Sequence, residues 1–112
     1  MTLVDRHFTY KRRIKVSSGD LALAQGARKT CTIRLGVATV EGDLIDLTDG
    51  RDSLRVRIVS VETARYGALN QEHARCEGFT SVEELREDLQ RYYRRIDKDQ
   101  LVTIIRFERV AS

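Results

Sequence analysis

Gly26-Ala27-Arg28-Lys29-Thr30-Cys31-Thr32-Ile33-Arg34 brings a lysine, a threonine and an arginine within six residues of one another. Gly26 suits the end of a helix, and the β-branched residues from Thr30 to Leu35 favour a strand, so the stretch marks a helix giving way to a strand. Side chains alternate along a strand. Thr32 and Arg34 therefore share one face, and Cys31 and Ile33 point the other way, toward a core. Lys29 is three positions before Thr32, and strict alternation would turn it to the opposite face. For both to reach one substrate, Lys29 has to lie in an irregular entry to the strand, which Gly26 makes feasible.

Upstream, Phe8, Tyr10 and Arg12 alternate with Thr9 and Lys11 as a first strand. Ser18-Gly19-Asp20 offers helix caps for one or two helical turns from Leu21 to Gln25. Downstream, Gly42-Asp43 opens a strand at Leu44-Ile45-Asp46-Leu47, and Asp49-Gly50 turns it into Leu54-Arg55-Val56-Arg57-Ile58 as a hairpin. The apolar phase then slips, because Val59 and Val61 have the opposite parity to Leu54, Val56 and Ile58. A β-bulge near Ile58-Val59 accounts for the slip.

Asn70-Gln71-Glu72-His73-Ala74 reads as a short surface helix. A longer helix follows Thr80, with Ser81 and Glu84 as a capping box and Val82, Leu85, Leu89 and Tyr92 or Tyr93 as its apolar stripe. That stripe is expected to be core packing. Leu101 to Phe107 closes the chain as a largely buried strand. The expected fold is α+β, a small mixed barrel with about two flanking helices.

With 112 residues the chain is expected to form one domain, 1–112. It is 41% hydrophobic and 33% charged, which suits a small, well-solvated fold with a thin core. No apolar run approaches the roughly 20 residues of a membrane span. Met1-Thr2-Leu3-Val4-Asp5 has no signal-peptide pattern, so the expected compartment is the cytoplasm. Cys31 and Cys76 are then read as a reduced, semi-buried pair of thiols. They fit no metal-ligand spacing, and only His7 and His73 could complete a zinc site, so no metal or cofactor is expected.

The net charge of +3 is unevenly distributed. Residues 1–40 carry eight Lys and Arg against two Asp and Glu, whereas the remainder is net negative. Lys11, Arg12, Arg13 and Lys15 are candidate contacts for phosphate or RNA. The plainer alternative is a solvated strand edge defended by its cations.

A threonine hydroxyl needs a neighbouring base to act as a nucleophile. Lys29 can be that base if burial or nearby cations bring its pKa from about 10.4 toward 7–8. Arg28 and Arg34 are cations of the right sign, and Glu77 can donate a proton to a leaving amine. Against this stands the bland alternative of a solvated sheet face, with Glu77 as an exposed helix-end residue. His73 belongs to its surface helix and is left out of the site.

Lys29-Thr30-x-Thr32-Ile33-Arg34 and Gly42-Asp43 resemble the ASCH domain, a family of the PUA-like superfamily. So do Leu69-x-x-Glu72-His73-Ala74-x-x-Glu77-Gly78-Phe79, Ser81-x-Glu83-Glu84-Leu85 and Val102-x-Ile104-Ile105-x-Phe107. Within that family the chain is most similar to small bacterial N4-acetylcytidine amidohydrolases. The resemblance runs from about Phe8 to Phe107. It implies a PUA-like β-barrel with a cleft near the lysine motif, and hydrolysis of the acetyl amide of a modified cytidine without a cofactor. It further implies Lys29 as proton acceptor, Thr32 as nucleophile and Glu77 as proton donor. Arg34 and Arg28 would bind substrate or developing negative charge.

The sequence departs from the family in one place: Ala27 stands where a glycine is usual. If that position needs a positive φ, the alanine strains the loop. The competing reading is a PUA-like domain that binds RNA, or cleaves it, through its basic N-terminal third.

Overall fold

Leu101–Arg109, strand β7, is the axis of the fold. The computed structural model describes residues 6–110, so Met1–Asp5, where no signal-peptide pattern was read, lies outside the described residues. Strand β7 pairs antiparallel with Ser53–Arg65 (β6) on one side and Cys31–Leu35 (β3) on the other. Beyond β6 come Leu44–Thr48 (β5), antiparallel to it, and Arg13–Lys15 (β2), parallel to β5, giving the order β2-β5-β6-β7-β3. His7–Tyr10 (β1) and Val37–Val40 (β4) form a separate parallel pair.

The apolar run of β7 is continuous because both of its faces are covered. Val102 and Ile104 face one core, with Cys31 and Ile33 of β3 and residues of two helices, Gln71–Glu77 (α2) and Val82–Tyr93 (α3). Ile105 and Phe107 face the other, with Ile14, Ile45, Leu47 and Val56 from the sheet. Leu21 and Ala24 of the Ser18–Gln25 helix (α1) close that second core, and Phe8, Tyr10 and Val40 of the small sheet pack against it. The α+β class is as expected, and among the described residues each of the three helical segments read in the sequence forms an α-helix. None of them is long and apolar enough to cross a membrane.

The expected bulge is present: the β6–β7 register shifts between Ile58 and Ser60, leaving Val59 unpaired and 60% exposed. Two strands were not foreseen. β2 is separate from β1, and β4 follows β3 after a sharp bend at Gly36, where φ is +98°. A Cβ at Gly36 would lie 2.7 Å from the Arg6 carbonyl oxygen, so no other residue fits the bend. The buried Thr103 hydroxyl bridges it, donating to the Gly36 carbonyl at 2.7 Å and accepting from the Ala38 N–H at 2.8 Å.

Helix caps also differ in detail. Ser17, not Ser18–Asp20, caps α1, its Oγ accepting from the Asp20 N–H at 3.1 Å. Ser81 caps α3 as read, but the Glu84 carboxylate turns to the Thr80 hydroxyl instead of completing the box. The reciprocal box belongs to α2, between Asn70 and His73, with the Asn70 N–H donating to His73 Nδ1 at 3.0 Å. His73 is thus a capping residue, consistent with leaving it out of the site.

The cysteines correct the thiol reading. Cys31 of β3 and Cys76 of α2 are joined in a disulfide, with Cα atoms 5.2 Å apart. Forty-five residues separate them in sequence, so their spacing gave no sign that α2 packs against β3 and brings them together. Closing a loop of that length contributes roughly 2–4 kcal/mol, mainly by restricting the unfolded chain.

Ala27 adopts φ +60°, the left-handed conformation that the missing glycine would favour. An L-residue there costs roughly 1–2 kcal/mol, offset partly by the greater unfolded-state entropy of glycine, roughly 0.4–1 kcal/mol. Ala27→Gly is therefore expected to raise unfolding stability by up to about 1 kcal/mol. Urea denaturation checks this, and a loss of stability would show that the turn is not strained.

Candidate active site

Lys29 occupies the irregular entry to β3 that the sequence required. The Arg28 and Lys29 N–H groups both donate to the Leu23 carbonyl, at 2.8 and 3.2 Å, so the chain is still leaving α1 when it reaches Lys29. The Thr30 N–H donates to the Cys76 carbonyl at 2.7 Å, and pairing with β7 begins at Cys31. This turn brings Lys29 and Thr32 to one cavity despite their three-residue spacing.

Glu77 is the last residue of α2, and Gly78 ends the helix in the left-handed conformation, with φ +94°. β3 lies at the edge of the five-stranded sheet, and its Ile33 N–H donates to Glu77 Oε2 at 3.1 Å. Glu77 Oε1 makes an ion-pair contact with the Lys29 ammonium. Lys29, Thr32 and Glu77 are 3, 3 and 5% exposed, which rules out the bland reading of solvated residues.

Burial lowers Lys29 from the usual lysine value to about 8. Asp20 in the first turn of α1 and Asp88 of α3 oppose that shift, and Arg34 assists it. Asp88 is itself pushed up, chiefly by burial and then by the neighbouring Asp20. Lys29 is thus poised to exchange a proton near neutral pH.

Arg34 shares the Thr32 face, as alternation requires. Its Nε donates to Thr32 Oγ1 at 3.1 Å and its Nη2 to the Lys15 carbonyl at 2.8 Å. The first bond fixes the threonine oxygen and leaves its hydroxyl proton free for a base. Arg34 therefore positions the candidate nucleophile as well as lining the cavity. Arg28, also expected to bind substrate, is exposed and absent from the cavity wall.

The cavity has a volume of about 370 Å³, within the range of small-molecule sites. Asp20, Asp88, Tyr92 and Tyr93 complete its wall, and all four were missed as site residues. Asp20 carried only a capping signal in sequence, and Asp88, in the middle of α3, carried none. The tyrosines were absorbed into an apolar stripe, although Tyr92 is 61% exposed. Lys15 lines this cavity, whereas Lys11, Arg12 and Arg13 line a second one of about 430 Å³ with Asp46 and Arg55. Among the described residues, no cluster of three or more His, Cys, Asp or Glu is placed to hold a metal.

No protein-family model and no curated protein matches the sequence. The solved structures do. An ASCH domain from Lactobacillus crispatus JV V101 superposes with a TM-score of 0.73 at 16% identity, over 89% of this chain and 79% of that one. The fold is that of an ASCH domain. The hypothetical protein PH0355 gives a TM-score of 0.64 at 19% identity, over 89% of this chain and 99% of that one. Protein EF3133 from Enterococcus faecalis V583 gives 0.59 at 20% identity, over 98% and 79%. At such identities the likeness establishes the ASCH fold and leaves the chemistry to the residues.

Glu77→Gln tests the buried pair of this ASCH fold. It leaves the Lys29 ammonium without its counter-charge, and breaking such a pair costs about 3–5 kcal/mol. The penalty applies where Lys29 is charged, so it is expected in full at pH 6 and to shrink as pH rises past about 8. Denaturant melts of both proteins at pH 6 and 9 measure it. An equal penalty at both pH values would mean that the charge on Lys29 is not its source.

Proposed function

We propose that the chain is an amidohydrolase that removes the acetyl group from N4-acetylcytidine or a related modified nucleoside, giving cytidine and acetate. The observation that carries this reading is the buried contact of Lys29 with Glu77 in the same cavity as Thr32, whose oxygen Arg34 holds.

Once the Lys29 ammonium has lost its proton to solvent, the pair is a neutral amine beside a carboxylate. Burial favours the uncharged amine, which can act as a base, and the proton it gathers can pass to the carboxylate in contact with it. Neutral Lys29 takes the Thr32 proton as Oγ1 attacks the acetyl carbonyl carbon. The carbonyl electrons pass to its oxygen, and the remaining Arg34 N–H groups stabilise the negative charge. Lys29 hands the threonine proton to Glu77, and collapse of the tetrahedral intermediate breaks the C–N4 bond as Glu77 passes that proton to N4, leaving Lys29 neutral again. Cytidine leaves and an acetyl ester remains on Thr32. Water, deprotonated by the same base, hydrolyses the ester to acetate and restores the threonine.

The likeness to the ASCH domain from Lactobacillus crispatus supports the reading only at the level of the scaffold. A second reading, RNA binding, is favoured by one observation, the exposed Lys11, Arg12 and Arg13 around the second cavity. RNA held there would lose affinity with salt, with a log–log slope of about −0.7 per phosphate contacted.

Incubating the protein with N4-acetylcytidine and following cytidine by chromatography tests the first reading. Lys29→Ala is expected to slow turnover about 10²–10⁴-fold, the usual worth of a general base. Thr32→Ala is expected to abolish turnover while leaving any salt-dependent RNA binding intact. Because Lys29 is the base when neutral, kcat/KM should rise with pH and level off above about 8. No cytidine from a folded protein would discard the amidohydrolase in favour of RNA binding.

A further inference from the structure

The disulfide and the acid–base pair are built from the same two pieces of chain. Cys31 directly precedes Thr32, and Cys76 directly precedes Glu77. Three links therefore join β3 to the last turn of α2 side by side: Thr30 N–H to the Cys76 carbonyl at 2.7 Å, the sulfur–sulfur bond, and Ile33 N–H to Glu77 Oε2 at 3.1 Å. The covalent link is the middle one. A staple serving stability alone could sit anywhere the two elements meet, but this one lies between the hydrogen bond that orients Lys29's strand entry and the one that orients Glu77.

We propose that the Cys31–Cys76 disulfide is a positioning device for the acid–base pair, so that the site is assembled when the bond is formed and loosened when it is reduced. With the bond intact, the last turn of α2 is pinned to β3, and Glu77 stays against Lys29 in the cavity wall. With it reduced, that turn is held without a covalent tie, by the two hydrogen bonds, the Lys29–Glu77 contact and the packing of α2, and water gains access to both groups. The kinetic consequence rests on the amidohydrolase reading; the effect on Lys29 itself does not.

Reduction is a two-electron exchange with a dithiol. A thiolate of the reductant attacks a sulfur, most readily that of Cys76, which is 7% exposed where Cys31 is 0%. The reductant's second thiol then displaces the mixed disulfide. The reductant leaves as its own cyclic disulfide, and Cys31 and Cys76 each gain one electron and one proton. Re-formation requires a disulfide oxidant to take those two electrons. In a reducing compartment such a bond is usually transient and regulatory, whereas in an oxidising one it persists.

Lys29 reports the outcome. The groups facing it are Glu77 from α2, Asp20 from α1, Asp88 from α3 and Arg34 from β3. Only Glu77 rides on the half of the disulfide that reduction frees. Solvating Lys29 removes the main cause of its depression, so its titration midpoint moves up from about 8 toward the ordinary lysine value of about 10.4.

The test compares the oxidised chain, the dithiothreitol-reduced chain and the Cys31→Ala/Cys76→Ala double variant, each shown folded by circular dichroism. Lys29 is titrated by competitive labelling with acetic anhydride and mass spectrometry, and kcat and KM for N4-acetylcytidine are followed against pH. The expected result is a Lys29 midpoint about one unit higher in both disulfide-free forms, which lowers the neutral fraction, and with it kcat, roughly fivefold at pH 8. KM should change far less, and reoxidation should restore the original midpoint.

A lower melting temperature with an unchanged Lys29 midpoint would overturn the proposal and leave a plain staple. Loss of the fold on reduction would overturn it as well, since the bond would then serve the whole structure. If the double variant alone fails to fold, the reduced wild type carries the test, with reoxidation as its control. If no form releases cytidine, the amidohydrolase reading fails and the labelling result decides this inference by itself.

Discussion

The contact between Lys29 and Glu77 imposes the constraint around which the rest of the structure is arranged. Two ionisable groups almost out of reach of water each lose several kcal/mol of hydration. They persist in the interior only if neighbouring elements hold them in contact and satisfy their remaining polar atoms. The Ile33 N–H supplies that for one carboxylate oxygen, and Lys29 takes the other. This accounts for features that otherwise look unrelated. α1 must end early enough for Lys29 to leave the helix, α2 must stop in a left-handed glycine at Gly78, and β3 must be an edge strand with a free N–H to give.

Gly78 shows how tightly these requirements interlock. A Cβ on Gly78 would approach the Arg28 carbonyl oxygen and Leu23 Cδ1 at 3.4 Å each. The end of α2 thus rests on the same loop that delivers Lys29 to the cavity. On the other side of that loop, Ala27 is held in the left-handed region at φ +60°. Strain at an active-site loop persists where surrounding structure determines the conformation. Here the determinants are identifiable: the paired donors of Arg28 and Lys29 on the Leu23 carbonyl, and the Thr30 bond to Cys76.

Local features were legible in the sequence, and features made by distant contacts were not. The alternation that placed Thr32 with Arg34, the phase slip at Val59 and the cap at Ser81 each depend on residues a few positions apart, and all three are present. The need for an irregular entry at Lys29 followed from counting faces along one strand. By contrast, the bend at Gly36 depends on Thr103, and the disulfide depends on packing between α2 and β3, each dozens of residues away in the chain. Asp20 carries a capping signal and Asp88 none, and only the packing of α1 and α3 over the cavity brings them into its wall. The roles of Lys29, Thr32 and Glu77 came from the family resemblance, and burial is what now separates them from an ordinary polar strand face.

The charges around the two cavities differ in kind, and this bears on the proposed substrate. The first cavity balances Lys15, Lys29 and Arg34 against Asp20, Glu77 and Asp88, so it offers no net attraction to a charged group. Its two tyrosines add apolar surface and ring faces suited to a planar, uncharged molecule. The second gathers Lys11, Arg12, Arg13 and Arg55 against Asp46 alone, and Arg55 is already paired with that aspartate. Three cations are left there for phosphate. A neutral modified nucleoside thus matches the first cavity and a polyanion the second, so the two readings concern different surfaces. They meet on β2, where Arg13 and Lys15 lie on the exposed face on either side of the buried Ile14.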